Sequence, residues 1–312
     1  MKKIPVYALA GFLGSGKTTV LKNILENMEG IKTGVIQNEF GKVGIDGKRL
    51  KSEKGIEMIE LNRGSIFCAC LRLSFVQALA DMAEKDIECI FVESSGIGDP
   101  SNIEEIVAAA NVLAKDRLEL KGVLCLCDGV NFEKDLEAKE LETVMRQVKH
   151  CNVAVISKRD LIDEKREEEI RKRIREINPL CPIYTSVKGV FPLDFLKDDL
   201  SKYRWAKNED STNSEETKPK TITLFCKESI DKNQLENFLK ELAPYVYRVK
   251  GDLVLSGKMT CIDMVGEKID FKESEETEPS LVLIAKIGNE IVRKALEIWT
   301  KNVDVKMEMK NG

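Results

Sequence analysis

GFLGSGKTT, residues 11 to 19, decides the fold. It satisfies the pattern G-x-x-x-x-G-K-[ST] in the setting that gives the pattern meaning: an apolar run, IPVYALA, precedes it and a stretch of helical period, VLKNILENM, follows. Gly11, Gly14 and Gly16 let backbone N–H groups close around phosphate oxygens, with Ser15 and Thr19 completing the nucleotide-binding set. Lys17 supplies a cation between the β and γ phosphates, Thr18 a hydroxyl for Mg²⁺, and the helix N-terminus adds positive potential.

Outward from this loop, TGVIQN, IECIFVE, GVLCLCD, NVAVIS and PIYTSV repeat the short Val/Ile/Leu-rich theme, separated by stretches of helical period. The runs are continuous rather than alternating, as in strands covered on both faces by helices. The expectation is an α/β fold, a doubly wound, mostly parallel P-loop NTPase sheet over residues 1–204, with its ligands at the strand C-terminal edge. Residues 206–220, AKNEDSTNSEETKPK, hold almost nothing that can be buried, so 205–220 reads as a polar linker. Beyond it come TITLFC, a helix from about Asp231 to Leu242, YVYRVKG, DLVLSG, TCIDMVG, SLVLIAKIG and a helix from Asn289 to Trp299. That succession predicts a second, smaller α+β domain over 221–312.

A triphosphate site needs a carboxylate at a neighbouring strand end. IECIFVESSGIGDP supplies Glu93, the expected metal-side carboxylate, followed by Ser94, Ser95 and Gly96 where a γ-phosphate sensor belongs. The base is addressed by Ser157-Lys158-Arg159-Asp160 after the run NVAVIS. An Asp at a strand exit accepts from guanine N1–H and its exocyclic amine, whereas adenine presents an acceptor at N1. Ser157-Lys158-Arg159-Asp160 resembles the guanine motif N-K-x-D with Ser in place of Asn, so Lys158 and Asp160 join the candidate site.

The 312 residues are 43% hydrophobic and 33% charged, which suits a folded chain of two cores. A net charge of -4 excludes a nucleic-acid partner gripped through phosphates. The charged run 163–176 mixes both signs at helical spacing and reads as a solvated helix face. Nine cysteines, odd in number and scattered through apolar runs, do not make a secreted disulfide frame and fit a reducing cytoplasm. The opening MKKIPVYALAG has a signal-like outline but runs directly into the phosphate loop, and no segment approaches a membrane span, so a cytoplasmic, non-membrane protein is expected.

GFLGSGKTT, QNEFGKVGID (37–46), ELNRGSIFC (60–68), ESSGIGDP and SKRDL, in this order, resemble the CobW family of P-loop GTPases, relatives of the nickel-delivery GTPases. YRVKGDLVLSG (247–257) is similar to that family's C-terminal domain. The resemblance implies a Mg²⁺-dependent GTP-binding protein and slow GTPase that acts as a chaperone or activator, delivering a metal or metallocofactor to a client metalloprotein or cofactor-dependent enzyme. It further implies a homodimer facing across the nucleotide. Asn38, Glu39, Gly41 and Asp46 match the family's switch-like loop, which makes Glu39, with Lys17 and Glu93, a candidate for the hydrolytic machinery. Two alternatives follow: a carrier that itself binds Zn²⁺, Co²⁺ or Ni²⁺ and releases it under nucleotide control, or a GTPase chaperone of a cobalamin or corrinoid enzyme that holds no cargo.

These alternatives meet at Cys68 and Cys70. The family usually carries Gly-Cys-x-Cys-Cys where this chain has Gly64-Ser65-Ile66-Phe67-Cys68, and Lys42 stands where Glu usually follows NEFG. Two thiols do not close a four-ligand zinc site. A strand would put residues 68 and 70 on one face, whereas a helix would turn them about 200° apart. A closed zinc site like the family's, a partial or dimer-completed transition-metal site, a redox pair and two small buried residues all remain open. The single histidine, His150, next to Cys151, reads as a capping or surface residue, and Cys125 and Cys127 read as core.

Overall fold

The computed structural model describes residues 3–28, 30–37, 56–61, 72–134, 136, 138–207, 209 and 220–311. These residues fall into two compact units, one reaching residue 209 and one beginning at 220.

The first unit carries seven parallel strands: β1 (Ile4–Gly11), β2 (Thr33–Gln37), β3 (Ile56–Glu60), β4 (Cys89–Glu93), β5 (Leu118–Asp128), β6 (Val153–Ser157) and β7 (Ile183–Thr185), in the spatial order β3-β2-β4-β1-β5-β6-β7. Among the described residues five helices accompany them: α1 (Lys17–Asn27), α2 (Arg72–Glu84), α3 (Ile103–Leu113), α4 (Ala138–Lys149) and α5 (Glu164–Ile177). The strands are apolar on both faces because each face is covered. On one side Leu79 and Met82 of α2, Ile106 of α3, Val148 of α4 and Ile174 of α5 pack on Val6, Ala8, Ile90 and Ala154. On the other, Leu21 and Ile24 of α1, with Phe191 and Phe195, pack on Leu9, Phe91 and Val155. β2, β4 and β6 are buried along their whole length. The run IEMIE, which sequence reading did not number among the strands, forms the edge strand β3 and pairs with β2.

Register brings the strand ends together. Leu9 of β1 and Gln37 of β2 are both partners of Glu93 at the end of β4. Asp128 of β5 pairs with Ser157 of β6. The loops after β1, β2, β4, β5 and β6 therefore leave from one edge of the sheet, where ligands of doubly wound sheets bind. The charged helix α5 is capped by Asp163, whose carboxylate accepts from Arg166 N, and it buries Ile170 and Ile174 while its charges face outward.

The second unit is a six-stranded antiparallel sheet in the order β11-β10-β9-β12-β8-β13, built from β8 (Thr221–Phe225), β9 (Val246–Leu255), β10 (Lys258–Val265), β11 (Lys268–Glu273), β12 (Ser280–Ala285) and β13 (Glu308–Asn311). Helices α6 (Lys232–Leu242) and α7 (Glu290–Asn302) cover it, with Phe238 and Trp299 edge to face at 5.0 Å. The stretches YVYRVKG and DLVLSG, expected as two strands, are one strand, β9. Gly251 does not break it: its φ is 149°, and a Cβ there would lie 2.1 Å from Ser280 O of β12, so glycine lets the neighbouring backbone close in. β11 and β13, both short and polar, were not read as strands because they lie at edges and bury little.

Candidate functional site

The phosphate loop is built from backbone. Gly11 has φ 138°, and a Cβ on it would meet Leu126 O at 2.5 Å and Ser15 Oγ at 2.7 Å; Gly14 and Gly16 have φ 75° and 90°. Only glycine suits this run of positive φ at close quarters. Helix α1 then begins without a side-chain cap and without an acidic residue in its first turn. A helix start with no side-chain oxygen at its cap and no carboxylate beside it presents positive potential that suits an anion. Ser15 Oγ is buried and has no hydrogen-bond partner among the described residues. Lys17, 8% exposed, donates to Gly11 O at 2.7 Å and Phe12 O at 3.2 Å, which keeps its ammonium at the mouth of the loop.

Glu93 lies beside it, 6% exposed. Its Oε1 accepts from Thr18 Oγ1 at 2.5 Å and its Oε2 accepts from Gln37 Nε2 at 2.6 Å. One carboxylate thereby joins the phosphate loop, β4 and β2. Sequence reading foresaw Thr18 and Glu93 but not Gln37, whose signal was a polar residue closing an apolar strand. The chain after Glu93 is tied to β1 by Ser94, whose N and Oγ donate to Leu9 O at 3.0 and 2.9 Å. It then crosses the phosphate loop so closely that a Cβ on Gly96 would sit 2.6 Å from Leu13 N.

At the end of β6, Lys158 adopts the left-handed conformation (φ 56°) and donates to Asp128 Oδ2 at 2.6 Å. Asp128 is itself fixed by Val130 N, Asn131 N and Asn131 Nδ2. Asp160, in the short turn Arg159–Leu161, is exposed and has no ion pair or hydrogen bond to a described residue. Ser157 Oγ donates to Cys127 O at 3.3 Å, so it serves the β5–β6 junction. A further loop, absent from the sequence reading, joins this group: Ser186 N donates to Ile156 O, Arg159 N donates to Ser186 O, and Ser186 Oγ is buried without a partner among the described residues. Gly189 (φ 87°) brings the same loop onto α1, where an added Cβ would meet Thr19 O at 2.8 Å. The chain stretch SVKGV held a signal in its Lys-Gly turn after β7.

Glu39, Cys68 and Cys70, with Asn38, Gly41, Lys42 and Asp46, lie outside the described residues. Among the described residues no three His, Cys, Asp or Glu side chains come together as a metal site, and the seven described cysteines are free thiols. Cys125 and Cys127 are core residues. A hydrogen bond that the Cys127 thiol donates to Cys125, with burial, pushes the Cys127 pKa well up, and burial does the same to Cys151. His150 is not a surface cap: its side chain is 5% exposed, and burial pulls its pKa down from the ordinary 6.5 against the opposing pull of Asp99 and Glu209. No helix among the described residues is long and apolar enough to cross a membrane.

Residues 5–185 match the family model described as the CobW/HypB/UreG nucleotide-binding domain. The chain belongs to this family. Residues 220–298 match the C-terminal domain of the cobalamin synthesis protein CobW, so both units have CobW counterparts. Among curated relatives, the zinc-regulated GTPase metalloprotein activator 1 of Dictyostelium discoideum is 30% identical over 62% of this chain, which spans 47% of that relative's length. The zinc chaperone YjiA of Escherichia coli is 28% identical over 83% of this chain and 84% of its own. The crystal structure of Zn(II)-bound YjiA GTPase from E. coli covers 97% of this chain and 99% of its own at 24% identity, with a TM-score of 0.49.

Proposed function

We propose that this CobW-family protein is a Mg²⁺-dependent GTP-binding protein and slow GTPase that acts as a chaperone or activator for metal or metallocofactor delivery to a client protein in the cytoplasm. The observation that carries the reading is the phosphate loop, with its helix lacking a side-chain cap, the buried Ser15 hydroxyl that has no partner among the described residues, and Lys17 at its mouth, locked to Glu93 through Thr18.

Each part has a role set by its chemistry. Backbone N–H groups of Gly14, Ser15 and Gly16 and the Lys17 ammonium hold triphosphate oxygens, Lys17 exchanging carbonyl partners for anionic ones that bind it more strongly. The Thr18 hydroxyl and Glu93 carboxylate, hard oxygen donors 2.5 Å apart, fit Mg²⁺. Held there, Mg²⁺ would supply positive charge against the negative charge that develops during phosphoryl transfer. Gln37 keeps the Glu93 carboxylate oriented, and the Ser94–Gly96 loop would meet the γ phosphate. Asp160, with no competing partner among described residues, accepts from guanine, while Lys158 and the Ser186–Gly189 loop frame the base. Catalysis rests on positioning and charge neutralisation, so turnover is slow without a partner.

The names of the zinc chaperone and metalloprotein activator relatives support the client-delivery part of the reading. The test is titration of the reduced protein with a fluorescent GTP analogue, with and without Mg²⁺ and in competition with ATP. Mg²⁺-dependent binding that prefers GTP and is lost in Lys17→Ala is expected; unchanged binding in that variant refutes the site. Calorimetry with Zn²⁺ and Co²⁺ then separates two forms of the reading. Metal binding altered by nucleotide and lost in Cys68→Ser makes the protein a carrier, and its absence beside clear GTP binding leaves the metal to the client.

A further inference from the structure

The loop that leaves Glu93 is held by a helix that takes no part in the nucleotide site described above. Two consecutive residues of α4 reach it. Gln147 Nε2 donates to Gly96 O at 3.2 Å and to Gly98 O at 2.8 Å. Arg146 Nε donates to Asp99 Oδ2 at 2.8 Å, and its Nη2 donates to Ser101 Oγ at 3.0 Å. Both ends of these contacts are buried: Asp99 is 0% exposed and Gln147 1%. A loop with glycine at 96 and 98 has little intrinsic preference for one path, so its position against Leu13 of the phosphate loop needs an external hold.

The third arm of Arg146 goes elsewhere. Its Nη1 donates to Glu209 Oε2 at 2.9 Å; Lys149 Nζ donates to Glu209 Oε1 at 2.5 Å, and Glu209 N reaches Ser101 O at 3.4 Å. His150 Nε2 lies 3.8 Å from the same carboxylate. Glu209 belongs to the first unit, far along the chain from α4. One guanidinium therefore grips both the loop after Glu93 and the Glu209 carboxylate, a three-way fork that lysine cannot reproduce.

We propose that Arg146 and Gln147 are positioning residues for the GTPase reaction, holding the loop after Glu93 in its working place, and that Glu209 supports this hold by fixing the third arm of Arg146. The proposal rests on the GTPase reading given above.

The experiment compares wild type with Arg146→Lys, Gln147→Met, Glu209→Gln and Glu209→Asp, measuring kcat and KM for GTP and amide hydrogen exchange of the nucleotide-free proteins. In Arg146→Lys and Gln147→Met, kcat is expected to fall about 10- to 100-fold with KM within about twofold, the signature of lost positioning rather than lost binding. Glu209→Gln should lower kcat about 3- to 10-fold, and Glu209→Asp, which keeps the charge, should restore most of it. Exchange at residues 96–101 should quicken in the first three variants while β1 and α1 keep their protection. Unchanged kcat and unchanged loop exchange overturn the proposal, as does a variant in which protection falls throughout the first unit, which marks a merely structural role. A wild type that turns over no GTP refutes the GTPase reading instead, and loop exchange in the nucleotide-free variants still decides whether the hold exists.

Discussion

Replacing Gly96 by alanine is the sharpest single perturbation of the site, because it adds one methyl group where two functional segments touch. The new Cβ would lie 2.6 Å from Leu13 N, 2.7 Å from Leu13 Cα and 2.6 Å from Leu13 Cδ2. Leu13 Cδ2 can rotate away, but the two backbone atoms move only if the phosphate loop moves. Overpacking of this kind costs about 1–3 kcal/mol. The substitution returns about 0.4–1 kcal/mol by restricting the unfolded chain, since no positive φ opposes alanine here. The net destabilisation is therefore about 1–2 kcal/mol. Because the strain falls on the phosphate loop, most of it should appear as weaker nucleotide binding, a factor of about 5 to 30. Denaturant unfolding with and without nucleotide, alongside titration of a fluorescent GTP analogue, separates the two contributions. Affinity within twofold of wild type, with unchanged stability, would refute the argument that these loops are packed too tightly for a methyl group.

Three further outcomes follow from the geometry. Asp160→Asn keeps shape but exchanges an acceptor-only group for a mixed one, so discrimination between GTP and ATP should fall about 10- to 100-fold, from the loss of charge-assisted hydrogen bonds, while Mg²⁺-dependent triphosphate binding persists; competition titration reads both. His150 titrates below its ordinary 6.5 in the folded protein, held down by burial and by Arg146 and Lys149 against Asp99 and Glu209. The unfolded chain then takes up the proton first on acidification, so the stability owed to neutral His150 is full above 6.5 and is lost as pH falls through the folded value. Melting temperature should drop on acidification from about pH 7.5 to 5.5, less steeply in His150→Gln; equal slopes would exclude His150 as the cause. Of the seven described cysteines, Cys261 alone is not fully buried, so mild alkylation of the folded protein should label it before the other six, a sequence that peptide mapping checks.

The nucleotide half of the site was readable because its chemistry is local. The phosphate loop needs glycines, a lysine and a hydroxyl within nine residues, and Glu93 and Asp160 each end an apolar run that marks a strand exit. Gln37, Asp128 and Ser186 were missed for the opposite reason. Each is an ordinary polar residue at a strand end, and its role comes from the partner that sheet order delivers: Glu93, Lys158 and Arg159 respectively. His150 was misread because its place after a helix predicts exposure, whereas its side chain is buried with Glu209, distant in sequence, 3.8 Å from it.

Period and composition by themselves determined that the chain folds as a parallel α/β unit followed by a smaller α+β unit, since continuous apolar strands between amphipathic helices bury both faces in no other common way. The motif order determined the family. Only the tertiary structure decided that Glu93 is shared between Thr18 and Gln37, that the loop behind it is gripped by α4, and that YVYRVKGDLVLSG is one strand. Those facts depend on register and on approach distances of a few ångströms between residues far apart in the chain, which no local pattern encodes.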